Sequence, residues 1–346
     1  MIAQNALVRY CVAMRPRSPA PLFRALSVRT FLVTNTVNIR YLTGMNMTAG
    51  TLLITPNGFR LFVDGRYSEA AAKSCFRGIE VCALAELEKS LARVRTCAFE
   101  ADEVTVSRLA KWKSKFKNTK FVQSSGVIEE FRRSKDAEEL RCFRKAQRIT
   151  EDILKRVPML LRRPISEVQV SWKIREWAME LGADDMSFET IVAFGTHTSR
   201  PHHRPTHRVL QRGHIVQIDM GVKCGGYCSD QSAVYFTGKP TPLQKRVHAA
   251  VAEAFSASWA AVRPGVTNRD LDRIARAVLT RHGFEKFFVH SLGHGVGMDI
   301  HEGPNLSMKA PETKLLNNEI VTIEPGVYLP GRFGMRLEKE IVVGGS

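Results

Sequence analysis

Two stretches of the chain place carboxylates inside strand-like segments. In GHIVQIDMGVKCGGYCSDQSAVYF (213–236), the apolar residues Ile215, Val216 and Ile218 lead into Asp219. Cys224 to Gly226 offer a tight turn, and Tyr227 to Phe236 return as the partner strand. In a two-residue hairpin an odd position faces an even one, so Asp219 and Asp230 share a face, opposite or one pair apart. IVTIEPGVYLPGRFGMRLEKEIVV (320–343) has the same design. Glu324 precedes a Pro-Gly-rich turn and Glu338 follows it, so a turn centred near Gly331 makes the two glutamates face each other. Carboxylates held that close repel unless they are protonated or bound to cations. Four such charges match two divalent ions. Oxygen-dominated sites completed by one imidazole suit manganese, with cobalt, zinc or iron as alternatives. A water shared between two ions loses a proton near neutral pH while the ions polarise a carbonyl, which is hydrolytic chemistry.

HSLGHGVGMDIHEGP (290–304) can supply the imidazole. Gly293, Gly295, Gly297 and Pro304 exclude a helix there. His301-Glu302 is no zinc-protease motif, because H-E-x-x-H would need a histidine where Asn305 stands. The chain has no G-x-S-x-G elbow, no Walker A loop and no G-x-G-x-x-G opening a helix. RPHHRP (200–205) adds a doublet, His202 and His203, whose register is ambiguous. His197, His207 and His214 are read as surface residues.

The elements that must position these groups follow from pattern. Phe31 to Val33 and Thr51 to Ile54 look like strands, Pro56-Asn57-Gly58 a turn, Phe59 to Val63 a hairpin partner, and Glu69 to Lys73 a helix. A short strand is expected near 118–126. From Ala137, apolar residues recur every three or four positions to Ile153, the mark of a long amphipathic helix. Further helices are expected over about 166–181, 242–262 and 268–282, the last with Asn268 as N-cap and Gly283 as stop. The texture changes near residue 130, which gives domains of 1–130 and 131–346. No sequence repeat is visible.

Composition bounds the rest. With 346 residues, 44% hydrophobic and 25% charged, the chain suits a two-domain globular protein. No apolar run of about 18 residues suggests a membrane span. The seven scattered cysteines, Cys11, Cys75, Cys82, Cys97, Cys142, Cys224 and Cys228, have no CxxC pair and read as reduced thiols of a cytoplasmic protein. The amino end lacks Asp and Glu before Asp64 and carries Arg9, Arg15, Arg17, Arg24 and Arg29, a transit-like composition that makes an organellar matrix the alternative. In that case residues 1–20 would be dispensable. The net charge of +17 favours polyanions as non-specific partners. Lys111-Trp112-Lys113-Ser114-Lys115-Phe116-Lys117 could stack single-stranded bases. Leu109, Trp112 and Phe116 also fall at helical spacing, and an amphipathic helix with solvated lysines is the favoured interpretation.

Taken in order, Asp219, Asp230, His294, Glu324 and Glu338 resemble the five-ligand dinuclear site of the pita-bread metallopeptidases, which include methionine aminopeptidase, aminopeptidase P and prolidase. NIRYLTG (38–44) and VDGRY (63–67) are similar to the amino-terminal domain of the proline-specific branch. SFETIVAFG (187–195), DMG (219–221) and TIEPGVY (322–328) follow in family order. The resemblance covers nearly the whole chain. It implies an α+β fold: a creatinase-like amino-terminal α/β domain, then a pita-bread catalytic domain with a curved antiparallel sheet and flanking helices.

The resemblance also assigns roles. Asp219 would hold one metal, His294 with Glu324 the other, and Asp230 and Glu338 would bridge both. Glu324 would shuttle the proton, and His301 and His202 would stabilise the developing oxyanion. His290 would contact substrate or steady the intermediate. Arg336 matches an arginine near the product carboxylate or the ligand shell. The glycines of 293–297 would let backbone run close to the ions.

Two departures stand out. Ser232, Ala233 and Val234 replace a threonine-arginine-threonine pattern, and Lys339 stands where an acidic residue is usual; by alternation with Glu338 it should point outward. None of the five ligands is lost, unlike in relatives that became creatine hydrolases or non-catalytic binders. The implied activity is metal-dependent hydrolysis of the Xaa-Pro bond at the amino end of a dipeptide or short peptide, by a homodimer acting on proline-containing peptides. The competing expectation is a non-catalytic scaffold that binds nucleic acid or protein through its basic surface.

Overall fold

The computed structural model describes residues 18–345, so Arg9, Cys11, Arg15, Arg17 and most of the segment 1–20 lie outside the described residues. The chain falls into two compact units, one ending at Arg132 and the other starting at Arg133.

The first unit is a six-stranded mixed sheet with helices. Its helices are α1 (Ala20–Ala25), α2 (Thr36–Thr43), α3 (Ser68–Ser74), α4 (Leu87–Leu91) and α5 (Val106–Lys115), and α6 (Val127–Arg133) leads out of it. Its strands are β1 (Phe31–Val33), β2 (Thr51–Thr55), β3 (Gly58–Val63), β4 (Ile79–Ala83), β5 (Thr96–Glu100) and β6 (Lys120–Ser124), in the order β4-β3-β2-β1-β5-β6. The apolar runs of β1 and β2 are buried throughout, as a sheet covered on both faces requires. Asn35 caps α2 by accepting the backbone N–H groups of Val37 and Asn38. The segment 111–117 is settled by packing. Phe116 is buried, Trp112 stacks on Phe121 at 5.6 Å, and the four lysines are exposed. Its rings belong to the core, so they are not a platform for bases.

The second unit joins two sheet-and-helix layers. Strands β8 (Ile191–Phe194), β9 (Ile215–Met220) and β12 (Gln231–Phe236) form one antiparallel sheet. A smaller sheet follows from β7 (Asp185–Met186), β10 (Val222–Cys224) and β11 (Tyr227–Cys228). Helices α7 (Ala137–Leu160) and α8 (Glu167–Glu180) cover them, with Ile153, Val157, Val170 and Ile174 packed against Val192, Val216, Ile218 and Met220. The second layer contains β13 (Gly293–Gly295), β14 (Glu302–Leu306), β15 (Ile320–Ile323) and β18 (Lys339–Val342), with the ribbon β16 (Gly326–Leu329) and β17 (Phe333–Arg336). Helices α9 (Pro242–Ala261) and α10 (Asn268–Arg281) cover it through Val247, Val251, Leu271 and Val278. A bridge between Ser232 and Glu338 ties the two layers together.

Asp136 and Ser166 cap α7 and α8 in capping boxes with Glu139 and Gln169. The expected cap of α10 is displaced by one residue. Thr267 accepts the Asp270 N–H, while the amide of Asn268 donates to the carbonyls of Asn305 and Pro311. Among the described residues, no helix is long and apolar enough to cross a membrane, and Cys75, Cys82, Cys97, Cys142, Cys224 and Cys228 are free thiols.

Candidate metal centre

Strand periodicity aims the first pair of carboxylates. Val216, Ile218 and Met220 face the α7/α8 core, so Asp219 points to the opposite face. The hairpin turns on Gly225 and Gly226, at φ +58° and +90°, a two-residue connection only glycine adopts freely at both positions. Asp219 pairs with Ser232 and Met220 with Gln231. Asp230 is therefore one pair along from Asp219 on the same face. The second pair is a direct one. The register runs from Ile323↔Lys339 to Gly326↔Arg336, which leaves Glu324 opposite Glu338. The turn lies on Gly331 at φ +70°.

His294, on β13, completes the group. One ligand atom from each of Asp230, His294 and Glu338 lies within 4.8 Å of the others. His294 Nε2 is 3.5 Å from Asp230 Oδ2 and 3.5 Å from Glu324 Oε1. Its Nδ1 donates to the Gly295 carbonyl at 2.9 Å, a tautomer that leaves the Nε2 lone pair facing the carboxylates. The nearby glycines serve strand packing. A Cβ at Gly293 would come 2.1 Å from the Thr322 carbonyl, and one at Gly295 would come 2.1 Å from that of Gly303. They allow strand backbones to touch each other.

The electrostatics show a cluster short of positive charge. Burial, then the charges of Glu338, Asp219 and Glu324, raise the Asp230 carboxyl well above its ordinary value. Burial, then Glu324 and Asp219, do the same to Glu338. Burial pushes Glu324 up to about 8, although Arg336 opposes it. Burial brings His294 down to about 4, so the imidazole is neutral. Oδ1 of Asp219 and Oδ1 of Asp230 are buried and accept no hydrogen bond. Orphaned anionic oxygens beside a neutral imidazole fit divalent cations, and a protein donor set does not otherwise satisfy them.

One guanidinium is built into the shell. Arg336, 4% exposed, donates through Nη2 to Asp219, through Nε to Ser232 Oγ at 2.9 Å and through Nη1 to Tyr328 OH at 2.8 Å. Tyr328 OH lies 3.1 Å from His290 Nε2. His290 Nδ1 donates to the Ser291 carbonyl at 2.8 Å, so the tyrosine hydroxyl donates to Nε2. Burial, with Arg336 nearby, holds His290 neutral, down to about 3. His301 stacks edge-on against His294 at 4.5 Å and is more exposed.

Ser232 keeps its hydroxyl in use, donating to Glu338 Oε2 at 2.8 Å. Lys339 points away, pairing with Glu151 at 2.7 Å. Glu340, which was not anticipated, accepts the Asp230 backbone N–H at 2.5 Å and the Gln231 amide at 2.9 Å. Alternation with Glu338 was the available signal, because positions 338 and 340 share a face of one strand.

The histidine doublet resolves into an inward and an outward residue. His203 is buried with Nε2 3.0 Å from Glu167 Oε2, while His202 is exposed. His197 is not a plain surface residue. It is half-buried, with Nδ1 2.8 Å from Glu167 Oε1, and these three side chains form a second cluster with metal-ligand atoms, apart from the five-residue group. His214 is also half-buried and accepts the Gln211 N–H, whereas His207 is exposed as expected.

Residues 141–344 match the metallopeptidase family M24 model, and residues 21–134 match the creatinase/prolidase N-terminal domain. An uncharacterised peptidase of Bacillus subtilis is 30% identical over 93% of this chain and 93% of its own length. A putative Xaa-Pro aminopeptidase of Mycoplasma genitalium is 32% identical, covering 93% of this chain and 92% of its own. The solved structure of an Xaa-Pro dipeptidase from Bacillus anthracis superposes with a TM-score of 0.90 at 31% identity, over 94% of each chain. The chain belongs to metallopeptidase family M24, with a creatinase/prolidase-type amino-terminal domain ahead of a pita-bread catalytic domain.

Proposed function

From that membership we propose that the chain hydrolyses the Xaa-Pro bond at the amino end of a dipeptide or short peptide. Asp219, Asp230, His294, Glu324 and Glu338 would hold two divalent ions, manganese first by the oxygen-rich donor set. The observation that carries this proposal is the buried four-carboxylate cluster with two orphaned oxygens and a neutral imidazole, all five residues present in one place. An Xaa-Pro dipeptidase and a putative Xaa-Pro aminopeptidase among the similar proteins support the substrate class.

When bound, the ions supply Lewis acidity for the peptide carbonyl and acidify water at neutral pH. The chain's own residues do the rest. Glu324 Oε1 accepts from Thr322 Oγ1 at 3.2 Å, leaving Oε2 free to take the proton of the attacking water and pass it to the proline nitrogen. That nitrogen leaves as a secondary amine, so proton delivery to it is obligatory. His290 is held neutral with its Nδ1–H committed to Ser291, and Arg336 fixes Asp219 through a charged contact. His301, edge-on to His294, and His202 are both exposed, and both would donate to the oxyanion.

The test is a paired assay of metal-stripped, manganese-reloaded protein with an Xaa-Pro dipeptide and an Xaa-Pro-Xaa tripeptide, alongside Glu324→Gln. Cleavage of the dipeptide alone identifies a dipeptidase. Release of the first residue from the tripeptide identifies an aminopeptidase. If neither is turned over with metal demonstrably bound, the proposal fails and the basic scaffold takes its place.

A further inference from the structure

Glu167 opens α8 directly after its Ser166 cap, and its carboxylate is fully buried. Five donors converge on it. Oε1 accepts from Phe194 N at 2.8 Å and His197 Nδ1 at 2.8 Å. Oε2 accepts from His203 Nε2 at 3.0 Å, Thr206 N at 2.9 Å and Thr206 Oγ1 at 2.6 Å. One oxygen therefore holds the start of the segment 194–206 and the other holds its end. The middle is pinned from the opposite side. Thr198, 1% exposed, accepts the Gly334 N–H at 2.9 Å, and a Cβ on Gly334 would come 2.3 Å from the Thr198 carbonyl. Gly334 lies on β17, two residues before Arg336.

His202 lies on the span between these anchors, next to His203. We propose that Glu167 is a positioning residue for His202: by stapling both ends of the 194–206 segment to a rigid helix start, it holds that imidazole where the oxyanion forms. This inference rests on the peptidase function proposed above. The spatial argument is direct. Losing the His203 anchor displaces its neighbour, and a 1 Å misplacement of a catalytic group can cost on the order of a hundredfold in rate. After burial, which is the main cause, His202 is among the groups whose proximity lowers the basicity of His290 and of His301, which agrees with this placement.

A double-mutant cycle separates positioning from general structural support. Glu167→Gln, His202→Ala and their combination are compared with wild type in manganese, reading kcat, KM and bound metal. Positioning predicts that Glu167→Gln lowers kcat by about tenfold or more, leaves KM within about threefold and keeps the wild-type metal content. In the His202→Ala background the same change should cost less than about twofold. Thr206→Val removes one donor and leaves the carboxylate in place; it should follow the same pattern at about threefold, and decides the matter if Glu167→Gln does not fold. Equal losses in both backgrounds, or a loss that tracks bound metal, would overturn the inference while leaving the peptidase function standing. A wild type inactive on both peptides overturns the two together.

Discussion

The catalytic unit buries two carboxylate centres with opposite balances. At Glu167 a single carboxylate meets five donors, and although burial alone would raise it, the bonds from His203, Thr206 and Phe194 bring it down to about 2. At Asp219, Asp230, Glu324 and Glu338, one guanidinium pairs with Asp219 and Glu338 alone, and Asp230, Glu324 and Glu338 are all pushed up. Like charges about 4 Å apart repel by about 4 kcal/mol at an effective dielectric constant near 20. The first centre is finished by protein alone. The second leaves buried carboxylate oxygens without donors, and that contrast separates a structural anchor from the proposed metal centre better than burial or residue type does.

Substitution at each centre sharpens the contrast. The largest effect is expected for Asp230→Asn, with activity falling on the order of a thousandfold and bound metal reduced. In chelator, the same variant should melt no lower than wild type, because the amide replaces a carboxyl whose ionised form burial and the neighbouring Glu338 and Asp219 already disfavour; a marked drop in that metal-free melt would break the comparison. Glu167→Gln should behave the other way, keeping its metal but losing about 2–3 kcal/mol of stability at neutral pH. Its folded value lies below the ordinary carboxylate value of 4.5. The stability it contributes is therefore full above about pH 4.5 and disappears as pH falls toward 2. Denaturant melts of variant and wild type should converge over that window, and a gap that persists at low pH would remove charge from the explanation. The smallest effect belongs to Lys339→Glu. Its side chain turns out to Glu151, so metal affinity measured by titration should change by less than about twofold.

Much of this was legible from sequence where local rules apply. Hairpin parity placed Asp219 with Asp230 and Glu324 with Glu338, and helical spacing explained 111–117. Distance along the chain set the limit. Glu167 looks like a first-turn carboxylate at a helix N-terminus, and its partners lie 27 to 39 residues away in a segment without regular strand or helix after Ser199. For the same reason His197 passes for a surface residue and the His202-His203 doublet keeps its ambiguity. No periodicity relates a helix start to a loop; only the folded arrangement does. Glu340 is a different case, since Lys339 between two glutamates masked a shared strand face that alternation would have revealed.

The glycines at 293 and 295 have a consequence for how this sequence can drift. Each lies against a carbonyl at a distance no Cβ tolerates, in backbone that adjoins His294, the proposed imidazole ligand. Gly283, by contrast, ends a helix at φ +76° with open space around it, where asparagine can serve at modest cost. A saturation library should therefore leave 293 and 295 invariant and let 283 wander. Two of the most conspicuous letters in the histidine segment act as gauges: they record, in the permitted alphabet, how closely two strands must approach.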